Sequence, residues 1–343
     1  MIVDDSAVAR AVLARMISAH LDFQVVALAG SSDEALDALK SVIVDAIVLD
    51  VNMPGTSGLE ALPAILEQAK AAKVLIVSSM CEEGAEASVR ALALGAADTL
   101  AKPGTGAFGG RFSEVLIERL RRISPPPEQP RQPPVQAFEN VRFTLRAMPD
   151  CRLGCLALGA STGGIHALGE FVRRLPSTIG APILVTQHLP PLFMPYFARE
   201  LETASGRAAR VAEDGMALEA GIIFIAPGEA HLGVRRSGSK VEACLSHAPA
   251  SSGCLPSVDI MFNSVAEIYG KSALGVIFSG MGRDGLVGSG RVVERGGAVL
   301  VQNAETSAVW GMPRAVAEAG LASAILSPSE LARRVAAACG SVR

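Results

Sequence analysis

The sequence predicts an α/β protein built from two doubly wound parallel-sheet domains joined by a proline-rich linker. Three observations carry that expectation. Short apolar runs alternate with stretches of helical spacing along most of the chain. The runs are apolar throughout rather than alternating, which suits parallel strands buried on both faces. One segment, residues 125–134, reads PPPEQPRQPP, with six prolines in ten residues against 20 in the 343-residue chain. Each proline fixes φ and removes a donor, so this stretch is neither helix nor sheet interior and reads as a semi-rigid spacer.

In the first domain the expected strands are 1–3, 25–27, 46–49, 74–77 and 99–101. The strand over 1–3 is short for a central one. Helical spacing falls at 7–19, 32–41, 58–69, 85–94 and 112–123. In the second domain the expected strands are 153–158, 182–186, 222–226, 274–279 and 298–301. Helices over 164–174, 194–204, 259–269 and 285–295 follow several of them. No repeat relates the halves. The boundaries implied are 1–122, a linker over 123–150, and 151–343.

Composition excludes several function classes. Net charge is −3 and no basic cluster stands out, so nucleic acid is not an expected partner. Aromatics at 4% leave little for base stacking. No apolar run reaches the roughly 18 residues of a membrane span, so no membrane insertion is expected. The start, Met1-Ile2-Val3-Asp4-Asp5, lacks the basic region of a secretory leader. The six cysteines (Cys81, Cys151, Cys155, Cys244, Cys254, Cys339) form no C-x-x-C pair. They read as small buried hydrophobes in a reducing cytoplasm.

Residues just past the carboxyl ends of parallel strands share one crevice. Asp4 and Asp5 follow the first strand, Asp50 the third, Ser78 the fourth and Lys102 the fifth. Crowded carboxylates raise one another's pKa unless a cation compensates. Hard oxygen donors suit Mg²⁺, and an Asp held beside Mg²⁺ and Lys can accept a phosphoryl group. Any one of these acids alone could equally be a helix cap. The set Asp4-Asp5, Asp50-x-Asn52-Met53-Pro54, Ser78 and Lys102-Pro103 resembles the receiver domain of two-component response regulators. The resemblance implies a flavodoxin-like fold, phosphorylation of Asp50 by a histidine kinase, and Mg²⁺ held by Asp5, Asp50 and the Asn52 backbone with help from Asp4. It also implies that Ser78 and Lys102 sense the phosphoryl group. Thr99 stands where such domains carry an aromatic switch residue.

In the second domain the first strand runs into Gly159-Ala160-Ser161-Thr162-Gly163-Gly164 and then a helix. A phosphate-binding P-loop fails, because Ile165-His166 replace Lys and Ser/Thr, and a G-x-G-x-x-G fingerprint is broken by Ala160-Ser161. G-x-S-x-G fits in its strand–turn–helix context. The helix N-terminus favours a developing oxyanion. A plain tight turn with a capping serine is the alternative. Among five histidines, His188 directly follows a strand and lands in the same crevice. His231 could line the rim, His166 lies inside the next helix, and His20 and His247 lie elsewhere. Asp284, in Gly280-Met281-Gly282-Arg283-Asp284-Gly285, is the candidate carboxylate, or else a helix N-cap. The order Ser–His–Asp argues against an α/β-hydrolase fold but not against a triad.

These segments, with Gln187-His188-Leu189-Pro190, Pro227-Gly228, Pro256-Ser257-Val258-Asp259 and Gly311-Met312-Pro313, resemble the catalytic domain of chemotaxis response-regulator methylesterases. The resemblance spans about residues 151–340. It implies a Rossmann-like methylesterase domain with a Ser161–His188–Asp284 triad, and an oxyanion role for the Met281 backbone with Thr162 nearby. The implied activity is hydrolysis of glutamate methyl esters on chemoreceptors, with glutamine deamidation by the same chemistry and no cofactor for the ester step. An unphosphorylated receiver blocking the cleft is implied as well. Leu255 replaces the Arg that often precedes Pro-Ser-Val-Asp. Two other readings remain open at this stage: a phosphorylation-controlled esterase outside chemotaxis, and a non-catalytic regulator. A DNA-binding output fits the second domain's size and charge least.

Overall fold

The protein, represented by a computed structural model, is described for residues 1–78, 82–102, 110–124 and 143–340. The proline-rich stretch 125–134, Pro103 and Cys81 lie outside the described residues. The chain divides into two units, Met1–Val141 and Arg142–Arg343.

The first unit holds strands β1 (Ile2–Val3), β2 (Leu28–Ala29), β3 (Ala46–Asp50), β4 (Lys73–Ser78) and β5 (Asp98–Ala101). Helices α1 (Ala7–Ser18), α2 (Ser32–Leu39), α3 (Gly58–Ala69), α4 (Glu82–Leu94) and α5 (Gly110–Ile123) connect or follow them. The sheet order is β2-β1-β3-β4-β5 and every pairing is parallel. That is the flavodoxin-like order, with its switch point between β1 and β3. Ile47, Leu49, Val74, Leu75 and Ile76 are fully buried, as strands covered by helices on both faces must be. Ser57 caps α3 in a capping box with Glu60, which fixes how the chain leaves the end of β3. The second strand lies at Leu28–Ala29 rather than 25–27. Its neighbour β1 offers only Ile2 and Val3 for pairing, and these take Leu28 and Ala29.

The second unit continues with β6 (Cys155–Ala160), α6 (Gly164–Arg173), β7 (Ile183–Gln187), α7 (Met194–Ser205), β8 (Ala209–Val211) and β9 (Ile223–Ile225). It goes on through β10 (His231–Ser237), β11 (Lys240–Ser246), α8 (Val258–Tyr269), β12 (Ala273–Ile277), α9 (Leu286–Glu294) and β13 (Ala298–Gln302). It ends with α10 (Met312–Glu318), β14 (Ala324–Leu326) and α11 (Pro328–Gly340). Seven strands form one parallel sheet in the order β14-β13-β12-β6-β7-β9-β8. Strand β6 sits at the switch point: later strands extend the sheet through β7 on one side and through β12 on the other. Phe171, Phe197, Phe224, Phe262 and Phe278 are fully buried around the sheet. Each contributes on the order of 1.5–3 kcal/mol through apolar area removed from water.

The antiparallel hairpin β10–β11 was not expected. Its strand HLGVRRS mixes charge with apolar residues because its far end is exposed, so no apolar run marks it. Strands β8 and β14, three residues each, were too short to register. No helix among the described residues is long and apolar enough to cross a membrane.

Candidate active site

The crevice outside β6, β7 and β12 gathers the three side chains that the second domain's motifs singled out. Ser161 follows β6 in a turn that only glycine can complete. Gly163 has φ +74°, and a Cβ there would stand 2.3 Å from the Ala308 Cβ. Across the turn, a Cβ on Gly280 would meet the Ser161 Cβ at 2.8 Å, so the loop after β12 approaches the serine by backbone alone. The Ser161 N–H donates to the Ser279 carbonyl at 3.0 Å, which ties the two loops together. The buried Gln187 amide donates to the Ser161 carbonyl at 2.9 Å.

His188, one residue past β7, places Nδ1 3.1 Å from Ser161 Oγ and Nε2 2.9 Å from Asp284 Oδ2. Asp284 is buried and heavily supported. Its carboxylate accepts from the Ser257 hydroxyl at 2.8 Å, the Val258 N–H at 2.7 Å and the Asp259 N–H at 3.3 Å. Those donors form the N-terminus of α8, so Asp284 caps a helix to which it does not belong. Capping and triad geometry thus coexist in one carboxylate.

Burial works against ionisation of Asp284. The His188 bond and charge, the Val258 N–H and the Ser257 hydroxyl outweigh it and hold the carboxyl well below its usual range. Burial likewise disfavours the His188 imidazolium, but the Asp284 hydrogen bond and neighbouring Cys254 push its pKa up to about 9. Asp259, buried beside Asp284, goes the other way. Burial raises it to about 6, the Gly288 N–H opposes the rise, and the Asp284 charge reinforces it.

Met281 is half exposed next to Gly280, and its N–H has no partner among the described residues. The same holds for the Thr162 N–H, while the Thr162 carbonyl takes the Ser279 hydroxyl at 2.7 Å. Leu255 is exposed on the loop before α8.

The sequence assigns no supporting role behind Asp284 to His231 or Ser257, and the structure gives them one. His231 is buried, not on the rim: its Nδ1 accepts the Ser257 N–H at 2.9 Å and its Nε2 bonds the Ala248 carbonyl at 2.9 Å. Ser257 in turn holds Asp284. No sequence spacing links these two, since His231 opens a hairpin strand and Ser257 immediately precedes α8. His166 and His247 are exposed. The cysteines also differ from expectation. Cys155 is buried, but Cys151, Cys244 and Cys254 are only partly so, and all four are free thiols. Cys254, on the loop before α8, stands within 4.8 Å of a ring nitrogen of His188 and a carboxylate oxygen of Asp284.

The first unit gathers the acidic set. Asp4 and Asp50 are buried, Asp5 is exposed, and their oxygens lie within 4.8 Å of one another. The Lys102 Nζ bonds Asp4 at 2.9 Å and Asp50 at 2.6 Å. Burial raises the Asp50 pKa against the pull of Lys102. Burial opposes the Lys102 charge, yet its two carboxylate partners outweigh that and raise its pKa. The Asn52 N–H donates to Asp50 at 3.2 Å. Ser78 ends β4 but its hydroxyl meets Ser88 on α4 at 2.6 Å, so no contact brings it to the carboxylates here. Three carboxylates facing one ammonium leave net negative charge on hard oxygen donors, a set that fits Mg²⁺.

Comparison with known proteins matches both units. A family model for CheB methylesterase covers residues 156–335, and one for the response regulator receiver domain covers residues 1–107. A protein-glutamate methylesterase/protein-glutamine glutaminase 2 of Caulobacter vibrioides is 38% identical over 345 residues, spanning 100% of this chain and 99% of its own. Another from Paramagnetospirillum magneticum is 37% identical over 356 residues, spanning 97% and 93%. The crystal structure of the Thermotoga maritima CheB methylesterase catalytic domain is 35% identical and covers 55% of this chain and 99% of its own, with a TM-score of 0.53. With likeness running through both units and full-length relatives matched end to end, the chain belongs to the CheB methylesterase family, its methylesterase domain preceded by a response regulator receiver domain.

Proposed function

We propose that the chain is a phosphorylation-activated protein-glutamate methylesterase that also deamidates glutamines, acting in the cytoplasm on chemoreceptors during chemotactic adaptation. The domains are a receiver over 1–122, a linker over 123–150 and the esterase over 151–343. The observation that carries the reading is the hydrogen-bonded series from Ser161 through His188 to Asp284. The names of the full-length relatives support the substrate class.

In the mechanism, Ser161 Oγ attacks the γ-carbonyl of a glutamate methyl ester while His188 Nδ1 takes its proton. The Met281 N–H, with Thr162 beside it, stabilises the oxyanion. Collapse expels methoxide, which takes the proton from His188 and leaves as methanol. Water, deprotonated by His188, then attacks the acyl-serine, releasing glutamate and returning the proton to Ser161. With glutamine the same steps release ammonia. Asp284 stays ionised and holds the imidazolium.

In the receiver, Asp50 is the phosphoryl acceptor from a histidine kinase. Asp4, Asp5, Asp50 and the Asn52 backbone would hold Mg²⁺, which screens phosphoryl charge when bound. Lys102 already bonds Asp50 and would follow the new charge, while Ser78 reaches a phosphoryl group only by leaving Ser88.

A fluorophosphonate serine probe, applied to the full chain with and without acetyl phosphate and Mg²⁺, tests this reading. Labelling at Ser161 that rises with acetyl phosphate in the native chain, and not in Asp50→Ala, is expected. Absent labelling under both conditions would favour a non-catalytic regulator.

A further inference from the structure

The loop that carries Ser257 to Asp284 also carries a thiol that the ester reaction does not use. Cys254 Sγ, a ring nitrogen of His188 and a carboxylate oxygen of Asp284 all lie within 4.8 Å of one another. Thiolate, imidazole and carboxylate are the three side-chain donor types of zinc sites. Metal–ligand bonds of about 2.0–2.3 Å in a tetrahedral site put ligand atoms roughly 3.3–3.8 Å apart, so only small adjustments separate this trio from a coordination sphere.

We infer that Cys254, His188 and Asp284 form an inhibitory site for a single thiophilic divalent cation, Zn²⁺ or Cd²⁺, in the esterase crevice. Ionised Asp284 and the Cys254 thiolate supply two negative charges, which balance the ion. Asp284 is fixed by the Ser257 hydroxyl and the Val258 N–H, the kind of outer support that orients metal-binding carboxylates. Cys254 and His188 are only partly buried, so the ion has an entry path and water can fill the fourth position. Mg²⁺ prefers oxygen donors and is not expected to compete here.

The consequence for catalysis follows from the imidazole. Ligation through Nδ1 uses the lone pair that faces Ser161. Ligation through Nε2 leaves the ring's only proton on Nδ1, pointing at Ser161 Oγ. In either case His188 no longer accepts the serine proton. Binding expels the Cys254 thiol proton, so affinity rises with pH. The inhibitory part of this inference rests on His188 being the base proposed above; the metal site itself does not.

The test uses the full chain and two metals. Cd²⁺ added to the reduced protein should give a thiolate-to-cadmium charge-transfer band saturating near one equivalent. The band should be lost in Cys254→Ser and kept in Cys244→Ser. Zn²⁺ should block ester hydrolysis reversibly, with activity restored by chelator. Scored against each protein's own zinc-free rate, Cys254→Ser should need at least roughly tenfold more Zn²⁺ than the native chain for the same fractional inhibition. Equal zinc sensitivity in native and Cys254→Ser proteins, or a cadmium band that survives Cys254→Ser, would overturn the inference. A Cys254-dependent band in a chain that releases no methanol would sustain the metal site and overturn the esterase reading instead.

Discussion

His188 Nε2 lies 2.9 Å from Asp284 Oδ2, and that contact decides which ring nitrogen carries the proton. Asp284 already accepts from the Ser257 hydroxyl and the Val258 N–H, and its ionised carboxylate has nothing to donate. The proton in neutral His188 therefore sits on Nε2. Nδ1 is left as a bare lone pair 3.1 Å from Ser161 Oγ.

The first prediction concerns pH. Only neutral His188 can accept the serine proton, and its pKa is pushed up to about 9 against the usual 6.5. Thus kcat/KM should climb with pH across the neutral range and level off on the alkaline side. In Asp284→Asn the carboxylate that raises the pKa is gone, so the limb should move to lower pH. The plateau should fall by roughly three to four orders of magnitude. A pH–rate profile of both proteins on a small ester checks this; an unmoved limb would mean that Asp284 does not act on His188.

The second prediction concerns the support behind Asp284. His231 holds the Ser257 backbone and Ser257 holds the carboxylate. Removing the hydroxyl in Ser257→Ala deletes a hydrogen bond to a charged group, worth about 1.5–3 kcal/mol. Slackened orientation of His188 should lower kcat by roughly tenfold or more while KM changes little. Ser257→Thr should restore much of the loss. Steady-state kinetics on the three proteins separates this positioning role from substrate binding.

Much of this arrangement was legible beforehand, and the reasons differ by residue. Ser161, His188 and Asp284 stand directly after β6, after β7 and in the loop after β12, where parallel topology alone makes side chains converge. Asp4, Asp50 and Lys102 follow the same rule in the other sheet. His231 and Ser257 obey no such rule, because a hairpin outside the main sheet brings them together. Residue type alone predicts a buried Cys254, whereas its place on the loop before α8 leaves it partly exposed. Ser78 ends β4 as the apolar run 74–77 implies, but its hydroxyl is engaged by Ser88 on a neighbouring helix, a contact no strand-end rule foretells.

A third prediction follows from Asp259. Its carboxyl is buried with the pKa raised from 3.8 to about 6, so the folded state favours the protonated form. That contribution is fully present below about pH 4 and is lost as pH rises through 6. In Asp259→Asn the loss disappears, and the side-chain oxygen can still accept the Gly288 N–H. The variant's Tm relative to native should therefore be higher at pH 8 than at pH 4. Thermal unfolding at the two values checks the sign.

A fourth prediction tests the serine turn. Gly163→Ala forces a Cβ onto a left-handed backbone and to within 2.3 Å of the Ala308 Cβ. Strain and overpacking together should cost on the order of 2–4 kcal/mol. Denaturant unfolding should show the loss, and serine-probe labelling should fall even where the variant remains folded. The same substitution at Gly169, where a Cβ meets nothing within 4 Å, should leave both nearly unchanged.

The most direct test is methanol release from a methylated receptor cytoplasmic fragment, with native protein and Ser161→Ala compared at equal folded concentration after acetyl phosphate treatment. The account predicts steady release by the native chain and none above background from the variant, with both unfolding at the same temperature. Undiminished release from Ser161→Ala would contradict it.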